Sequence, residues 1–158
     1  MRGRMCTIDD RLSDLGIEIP EVNHPQGNYL SYVRTGSLVF VAGQGPRQNG
    51  QLLYKGTVGH NLSVEDGQAA ARLCALNVLG QLKHACEGDL GRIVRMVRVG
   101  GLVRCADDFE EQARVLNAAS DLICEVLGHA GKHARISFGT NALPSGMAVE
   151  IEAIAEVD

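Results

Sequence analysis

The sequence predicts a single α+β domain in which a mixed β-sheet carries two long helices on one face. Apolar residues recur at helical spacing in two segments, and strand-like runs lie in pairs near both ends of the chain. Runs that closely follow each other pair as antiparallel hairpins, whereas helical crossovers favour parallel neighbours, so both kinds of pairing are expected. The length of 158 residues corresponds to one domain of ordinary size.

Residues 1–26 are expected to form an N-terminal extension, and residues 27–158 the domain itself. A short helix is predicted over residues 7–16, because Thr7 can cap its start and Gly16 can end it. Two acidic residues in the first turn would face the positive end of the helix dipole. The extension therefore contributes one helix before the sheet begins.

Two strands are predicted at the start of the domain. Residues 29–34 and 38–42 are strand-like and flank a compact turn that contains glycine, which predicts a β-hairpin. A short third strand is expected near residues 52–54, because the dipeptide Asn49-Gly50 is typical of a turn just before it.

Two helices follow, and each has an identifiable start and end. Ser63 with an acidic residue three positions later is typical of a helix N-terminus, and this long helix is expected to end at Gly88. A second helix is predicted from a cap at Asp107 or Asp108 to a stop at Gly128. The apolar stripes of both helices indicate that they pack on the sheet.

The remaining strands are predicted at residues 92–104, 133–138 and 147–157. The first contains Gly100-Gly101, which indicates a bulge or a close approach of the backbone to its neighbours. The last alternates apolar and acidic residues, as a half-buried strand does. Because both helices lie on one face, the other face of the sheet has no cover, and self-association is expected.

Composition and charge argue against several functional classes. The formal net charge is −4 and only 4% of the residues are aromatic, which is unfavourable for binding nucleic acid. The five cysteines are widely spaced without a CxxC motif, so neither disulfides nor zinc are indicated and a cytoplasmic location is expected. The sequence also contains no apolar run long enough for a membrane span.

Two further motifs are weak candidates for ligand binding. Residues 42–46 resemble a phosphate-binding turn, but no helix follows and the Lys-Ser/Thr pair of a P-loop is missing. An ordinary strand end is expected, although the amide of Gly43 could still polarise a small ligand. His129 and His133 lie beside a predicted helix end, where exposed loop imidazoles are expected rather than metal ligands. The sequence therefore indicates neither a metal nor a cofactor.

Arg135 differs from the other arginines because it stands alone at the beginning of an apolar strand. Its planar guanidinium can hold a carboxylate by two parallel hydrogen bonds. A structural ion pair with Glu150 or Glu152 is the alternative. Both interpretations remain open from the residues alone.

A set of motifs resembles the Rid/YjgF family, also called the endoribonuclease L-PSP family. The motifs follow one another in a single unbroken order from about Gly27 to Val157. The spacing from the arginine through Leu-Pro to the terminal acidic and apolar strand is the most specific part. The motifs are Gly27-Asn28-Tyr29, Ala42-Gly43-Gln44, Asn77 in an Ala-rich helix, Asp108-Phe109, Asn117, His133-Ala134-Arg135, Leu143-Pro144 and Val149-Glu150-Ile151-Glu152-Ala153-Ile154-Ala155.

The resemblance implies a chorismate-mutase-like subunit that forms a homotrimeric barrel with an active cleft at each subunit interface. It also implies hydrolysis of reactive enamines and imines, such as 2-aminoacrylate, to 2-keto acids and ammonia without a cofactor. The site residues follow by position: Arg135 binds the substrate carboxylate, Glu150 handles a water or a proton, Gly43 supplies a backbone donor, and Tyr29, Asn117 and Ser137 line the substrate site.

The chain also departs from the pattern of many deaminases of the family. Ala42 stands where those members have Ser, Ser137 where they have Cys, and His133 where Pro is usual. These departures indicate a side branch of the family, for which the resemblance predicts the fold more safely than the reaction. An endoribonuclease-type RNase and a non-catalytic trimer that binds small carboxylates or regulates a partner are the alternatives.

Overall fold

The computed structural model describes residues 6–158; residues 1–5, the start of the expected extension, lie outside it. The helices of this part are α1 (Ile8–Leu15), α2 (Val64–Ala85) and α3 (Gln112–Leu127). The strands are β1 (Tyr32–Thr35), β2 (Leu38–Gln44), β3 (Arg47–Gln48), β4 (Gln51–Leu52), β5 (Ile93–Arg104), β6 (Ala134–Thr140) and β7 (Val149–Val157).

Five strands form one mixed sheet in the order β1-β2-β7-β5-β6. Only β5 and β6 run parallel in this sheet, because α3 connects them as a crossover; the other neighbours are antiparallel. Both long helices contact the same face, α2 over β2 and β7 and α3 over β5 and β6. The predicted fold class is therefore confirmed.

The start of α2 follows its sequence pattern. Ser63 is the N-cap, and its hydroxyl accepts from the backbone N–H of Asp66 while the Asp66 carboxylate accepts from the backbone N–H of Ser63. These bonds satisfy two donors that the first turn would otherwise leave unpaired. They also lower the pKa of Asp66, since they favour its charged form.

The start of α3 differs from the prediction. Neither Asp107 nor Asp108 caps the helix; Glu111 occupies the N-cap position without a side-chain cap bond. A turn precedes the helix instead, in which Phe109 donates its N–H to the carbonyl of Ala106 at 3.1 Å. This turn takes up the residues that would have formed the first helical turn.

The glycine pair in β5 marks a close approach and not a bulge. The strand pairs continuously through Gly100 and Gly101, and its register shifts lie nearer its start, between residues 93 and 98. A Cβ atom on Gly101 would overlap the side chain of Leu116 on α3. The second glycine thus allows α3 to lie directly on the strand.

The N-terminal segment packs across the helices. Leu12 of α1 belongs to the buried core, and Gly80 of α2 faces the carbonyl of Pro20 so closely that a Cβ would lie 2.8 Å from that oxygen. The buried side chain of Gln81 donates to the carbonyl of Asn23 at 3.0 Å. These contacts bring residues 23–26 beside the end of β2.

The face of the sheet opposite the helices carries exposed apolar side chains. They include Val33, Phe40, Val94, Ile136 and Phe138, which are between 43% and 50% exposed. A patch of this kind is unusual on a monomer and typical of an interface. In the part of the chain described, no helix is both long and apolar enough to cross a bilayer.

We expect Gly101→Ala to lower the free energy of unfolding by about 1–3 kcal/mol, because the added methyl group forces Leu116 or α3 to move. Urea denaturation at one fixed protein concentration measures the change. Gly27→Ala is the matched control, since a Cβ there meets only the Tyr29 ring at 3.6 Å. Equal stability of Gly101→Ala and the wild type would contradict the packing described.

Candidate active site

A cleft of about 160 Å³ opens where the N-terminal segment, the end of β2 and the loop before β7 meet. It contains three of the residues singled out from the sequence, Tyr29, Gly43 and Glu150. The other residues that line it are Asn23, His24, Pro25, Gln26, Ser31, Gln44, Gly45, Arg47, Pro144, Ser145 and Met147. The strand-end turn of residues 42–46 therefore forms part of a ligand-sized space.

A local irregularity in β2 aims Gly43 at Glu150. The pairing of β2 with β7 shifts between Val41 and Gln44, so that β2 carries one residue more than β7 over this stretch. A Cβ on Gly43 would collide with the carboxylate of Glu150 and lie 2.9 Å from its Cδ atom. A side chain at this position would displace the carboxylate, so glycine allows Glu150 to lie directly on the backbone.

Two buried glutamines fix this irregular turn. Gln44 is 6% exposed and donates through Nε2 to the carbonyls of Ala42 at 3.0 Å and Gly43 at 3.3 Å. Gln81, which donates to the carbonyl of Asn23, also donates to Oε1 of Gln44 at 3.5 Å. Helix α2, the N-terminal segment and the turn are thus connected by one chain of amides.

The Glu150 carboxyl is half-buried in the cleft and points away from the helices. Burial raises the pKa of Glu150 above its ordinary value, and the negative charge of Glu152 on the same strand face raises it further. In residues 6–158 no Lys, Arg or His nitrogen lies within 4.0 Å of the carboxylate. The group is therefore poised to take up a proton more readily than an exposed glutamate.

Tyr29 forms one wall of the cleft and is 51% exposed. Its hydroxyl oxygen accepts from the backbone N–H of Gln26 at 3.3 Å. Sequence patterns did not single out residues 23–26, because a loop without regular periodicity gives no sign of the surface it will approach.

Arg135 lies outside this cleft, on the edge strand β6, and its guanidinium points to α3. Nη1 donates to Oδ1 of Asn117 at 3.0 Å and to Oγ of Ser120 at 3.1 Å, and Nη2 donates to the carbonyl of Ala113 at 3.5 Å. Within the part of the chain that the structure covers, no carboxylate lies within 4.0 Å of Arg135. The ion pair with Glu150 or Glu152 is therefore not formed in the chain.

The sheet separates Arg135 from Glu150. Arg135 lies opposite Val99 of β5 and faces the helices, whereas Glu150 lies opposite Leu102 of β5 and faces the open side. Ser137 follows Arg135 by two residues and shares its side of β6. One chain thus holds two groups of the expected site residues: Tyr29, Gly43 and Glu150 in the cleft, and Asn117, Arg135 and Ser137 at the β6 edge.

The environment of His133 differs from the exposed loop imidazole expected from the sequence. Its ring is half-buried and lies 2.9 Å from Oγ of Ser120 through Nε2 and 2.6 Å from the carbonyl of Gly131 through Nδ1. Among the residues placed by the structure, no three His, Cys, Asp or Glu side chains cluster in a way that could hold a metal ion.

The whole described chain corresponds to one known family. Residues 9–157 match the family described as "YjgF/chorismate_mutase-like, putative endoribonuclease". The chain belongs to this family. The resemblance found in the sequence motifs is thereby confirmed.

Individual relatives of this family are similar over nearly their full length. Protein TCP17 of Trypanosoma cruzi is 43% identical over 148 residues, which cover 93% of this chain and 92% of that protein. The crystal structure of Atu1372 from Agrobacterium tumefaciens, of unknown function, is 42% identical with a TM-score of 0.90 and covers 96% of this chain and 92% of its own. A Shewanella oneidensis structure is 38% identical with a TM-score of 0.92, and the coverage is 96% and 99%.

We expect Glu150→Gln to stabilise the folded protein at neutral pH. A carboxyl whose pKa rises on folding contributes its full stability below its ordinary value of 4.5 and loses that contribution as the pH rises through the folded-state pKa. The amide of the variant does not titrate, so the variant loses no stability in this way as the pH rises. The free energy of unfolding of Glu150→Gln should therefore exceed that of the wild type by an increment that grows above about pH 4.5 and then levels off.

Urea denaturation at several pH values and one protein concentration measures this increment. Glu156→Gln is the control on the same strand face, because Glu156 lies 3.9 Å from Arg95 and should give no gain at neutral pH. An equal difference for Glu150→Gln at about pH 4 and about pH 8 would contradict the raised pKa.

Proposed function

We propose that the protein is a deaminase that hydrolyses reactive 2-imino and 2-enamino acids of the 2-aminoacrylate type, at a cleft shared by two subunits of a homotrimer. The observation that carries the proposal is the separation of Arg135 from Glu150. Within residues 6–158, the Arg135 guanidinium has no carboxylate partner and the Glu150 carboxylate has no cationic partner, and the two groups lie on opposite faces of the sheet. Two copies can bring these halves together, whereas one chain cannot.

The open face of the sheet supports such an assembly. Phe40, Ile136 and Phe138 are each more than 40% exposed and would lose contact with water against neighbouring copies. The edge strand β6, which carries Arg135, has β5 as its sole sheet neighbour among the described strands. An interface formed on this side would place Arg135 at its border.

The chemistry fits these groups. Arg135 fixes the substrate carboxylate, and Asn117 and Ser137 lie beside it on the same side of the edge strand. Water adds to the imine carbon, the nitrogen takes up a proton, and the C–N bond breaks to release ammonia and the 2-keto acid. Glu150 orders the water and carries the proton, since burial raises its pKa above that of an exposed carboxyl and so favours uptake of a proton.

Gly43 and Tyr29 complete the proposed cleft. The Gly43 backbone lies directly beside the Glu150 carboxylate, and we assign its N–H the role of polarising the substrate. The Tyr29 ring lines one wall of this cleft. The reaction as written needs neither a metal nor an organic cofactor. A cytoplasmic location remains our prediction from the pattern of cysteines.

An RNase and a non-catalytic carboxylate-binding trimer are the competing functions. The family's description names an endoribonuclease, but the net charge of −4 gives a weak electrostatic basis for binding RNA. A binder would use the same arginine without turnover. Activity and binding must therefore be measured on the same variants.

We expect Arg135→Ala to lower kcat/KM about 30- to 1000-fold, which corresponds to the loss of about 2–4 kcal/mol from a charge-assisted pair of hydrogen bonds. Arg135→Lys should restore little, because lysine lacks the planar pair of donors. The assay generates 2-aminoacrylate with a cysteine- or threonine-processing lyase and follows the keto acid above the uncatalysed rate.

One control variant accompanies this experiment. Arg114→Ala removes an exposed arginine of α3 that pairs with Glu111, and this variant should remain active. Light scattering should show a trimer for every variant. Full activity of a folded Arg135→Ala trimer would refute the proposal.

The two competing functions predict different results with the same purified proteins. Wild-type protein that binds pyruvate but does not accelerate imine hydrolysis would be a binder. Cleavage of RNA by highly purified protein, lost in Arg135→Ala, would identify an RNase. Either result would contradict the proposed deaminase function.

A further inference from the structure

The guanidinium of Arg135 is held from behind by α3, and this leaves a defined pair of donors free. Arginine has five N–H donors. Both N–H groups of Nη1 have acceptors, on Asn117 and Ser120, and one N–H of Nη2 approaches the carbonyl of Ala113. The donors that have no acceptor among the described residues are Nε–H and the second N–H of Nη2.

Ala113 lies on the same helix as the two acceptors of Nη1, so we assign the bond to its carbonyl to the Nη2 hydrogen on the Nη1 side. The two free donors then form the side-on fork of the guanidinium. They are parallel and lie in one plane, so they match the two oxygens of a carboxylate. The orientation of the fork depends on the acceptors that occupy Nη1. Asn117 and Ser120 lie one turn apart on α3, but the Asn117 side chain is exposed whereas Ser120 is half-buried.

Ser120 is itself oriented by His133. The Ser120 Oγ atom accepts from Arg135, so its own hydrogen is available to one acceptor. Nε2 of His133 lies 2.9 Å away and is that acceptor. The hydroxyl is thereby prevented from rotating its hydrogen toward the guanidinium.

The backbone sets the tautomer of His133. Nδ1 lies 2.6 Å from the carbonyl of Gly131, and because a carbonyl only accepts, Nδ1 carries the hydrogen. In the neutral ring Nε2 is then the acceptor that Ser120 needs. All hydrogen bonds therefore run in one direction, from Arg135 to Ser120, to His133 and to Gly131.

The end of this chain is rigidly placed on α3. A Cβ on Gly131 would lie 2.6 Å from the carbonyl oxygen of Ile123 and 2.8 Å from Cα of Cys124, so only glycine allows this contact. The imidazole is consequently fixed relative to the helix that carries Ser120.

We propose that Ser120 and His133 are positioning residues, which hold the Arg135 side-on fork ready for the carboxylate of a 2-imino or 2-keto acid. The inference rests on the proposed role of Arg135 and adds a function for two residues that do not touch the substrate. Ser120 acts directly on the guanidinium, and His133 acts through Ser120.

Ser120→Ala should raise KM and the dissociation constant for pyruvate together, by about 5- to 10-fold, with kcat changed less than about twofold. Pyruvate binding is measured by NMR titration of the trimer. Ser120→Thr keeps the hydroxyl and should restore most of the affinity. Asp121→Ala, at the adjacent exposed position of α3, is the matched control and should behave as wild type.

His133→Phe tests whether the imidazole acts through Ser120. It keeps a ring in place but removes both nitrogens, and by itself it should weaken pyruvate binding. In the Ser120→Ala background it should add less than about twofold, because the connection to Arg135 is already lost. If the two substitutions weaken pyruvate binding independently, so that their effects multiply, His133 does not act through Ser120 and the proposal fails.

A merely structural role predicts a different outcome. Loss of folded protein lowers the number of working sites, so apparent kcat falls while KM stays constant. That result, or wild-type affinity in Ser120→Ala while Arg135→Ala loses binding, would refute the positioning role and leave the proposed function standing. Unchanged affinity in Arg135→Ala would refute the proposed function itself.

Discussion

Neighbouring residues of a β-strand point to opposite faces of the sheet, and this alternation determines what one copy of the chain can do. It directs the Arg135 guanidinium to α3 and the Glu150 carboxylate to the open face. No rotamer change moves a side chain through a sheet. A cleft that uses both groups must therefore take them from different subunits, and the uncovered apolar face provides a reason for the subunits to associate.

Each half of the site is built by close packing. Around Glu150 the extra residue in β2 and the absence of a side chain at Gly43 bring the backbone against the carboxylate. Desolvation of Glu150 is unfavourable for its charged form, so it raises the pKa of this carboxyl and favours uptake of a proton. At β6 neutral acceptors on α3 instead occupy three of the five guanidinium donors, which orients the group without neutralising its charge.

The sequence predicted the elements well and their relative placement less well. The capping box at Ser63 follows from local chemistry, so it could be recognised from residue types alone. The glycine pair of β5 left a bulge and a close approach as alternatives, because its contact with Leu116 arises only when α3 packs on the strand. The start of α3 was missed because a tertiary turn replaced the expected aspartate cap. The environment of His133 was also missed, since its partner Ser120 lies 13 residues earlier and becomes a neighbour only when β6 packs beside α3.

Heterotrimers of Arg135→Ala and Glu150→Gln subunits test the shared cleft most directly. The two variants are expressed together with different affinity tags, and trimers that contain both are purified through the two tags in turn. Each homotrimer should be nearly inactive, but each mixed trimer should contain one cleft with both groups intact and show about a third of the wild-type activity. Mixed trimers as inactive as either parent would contradict the account.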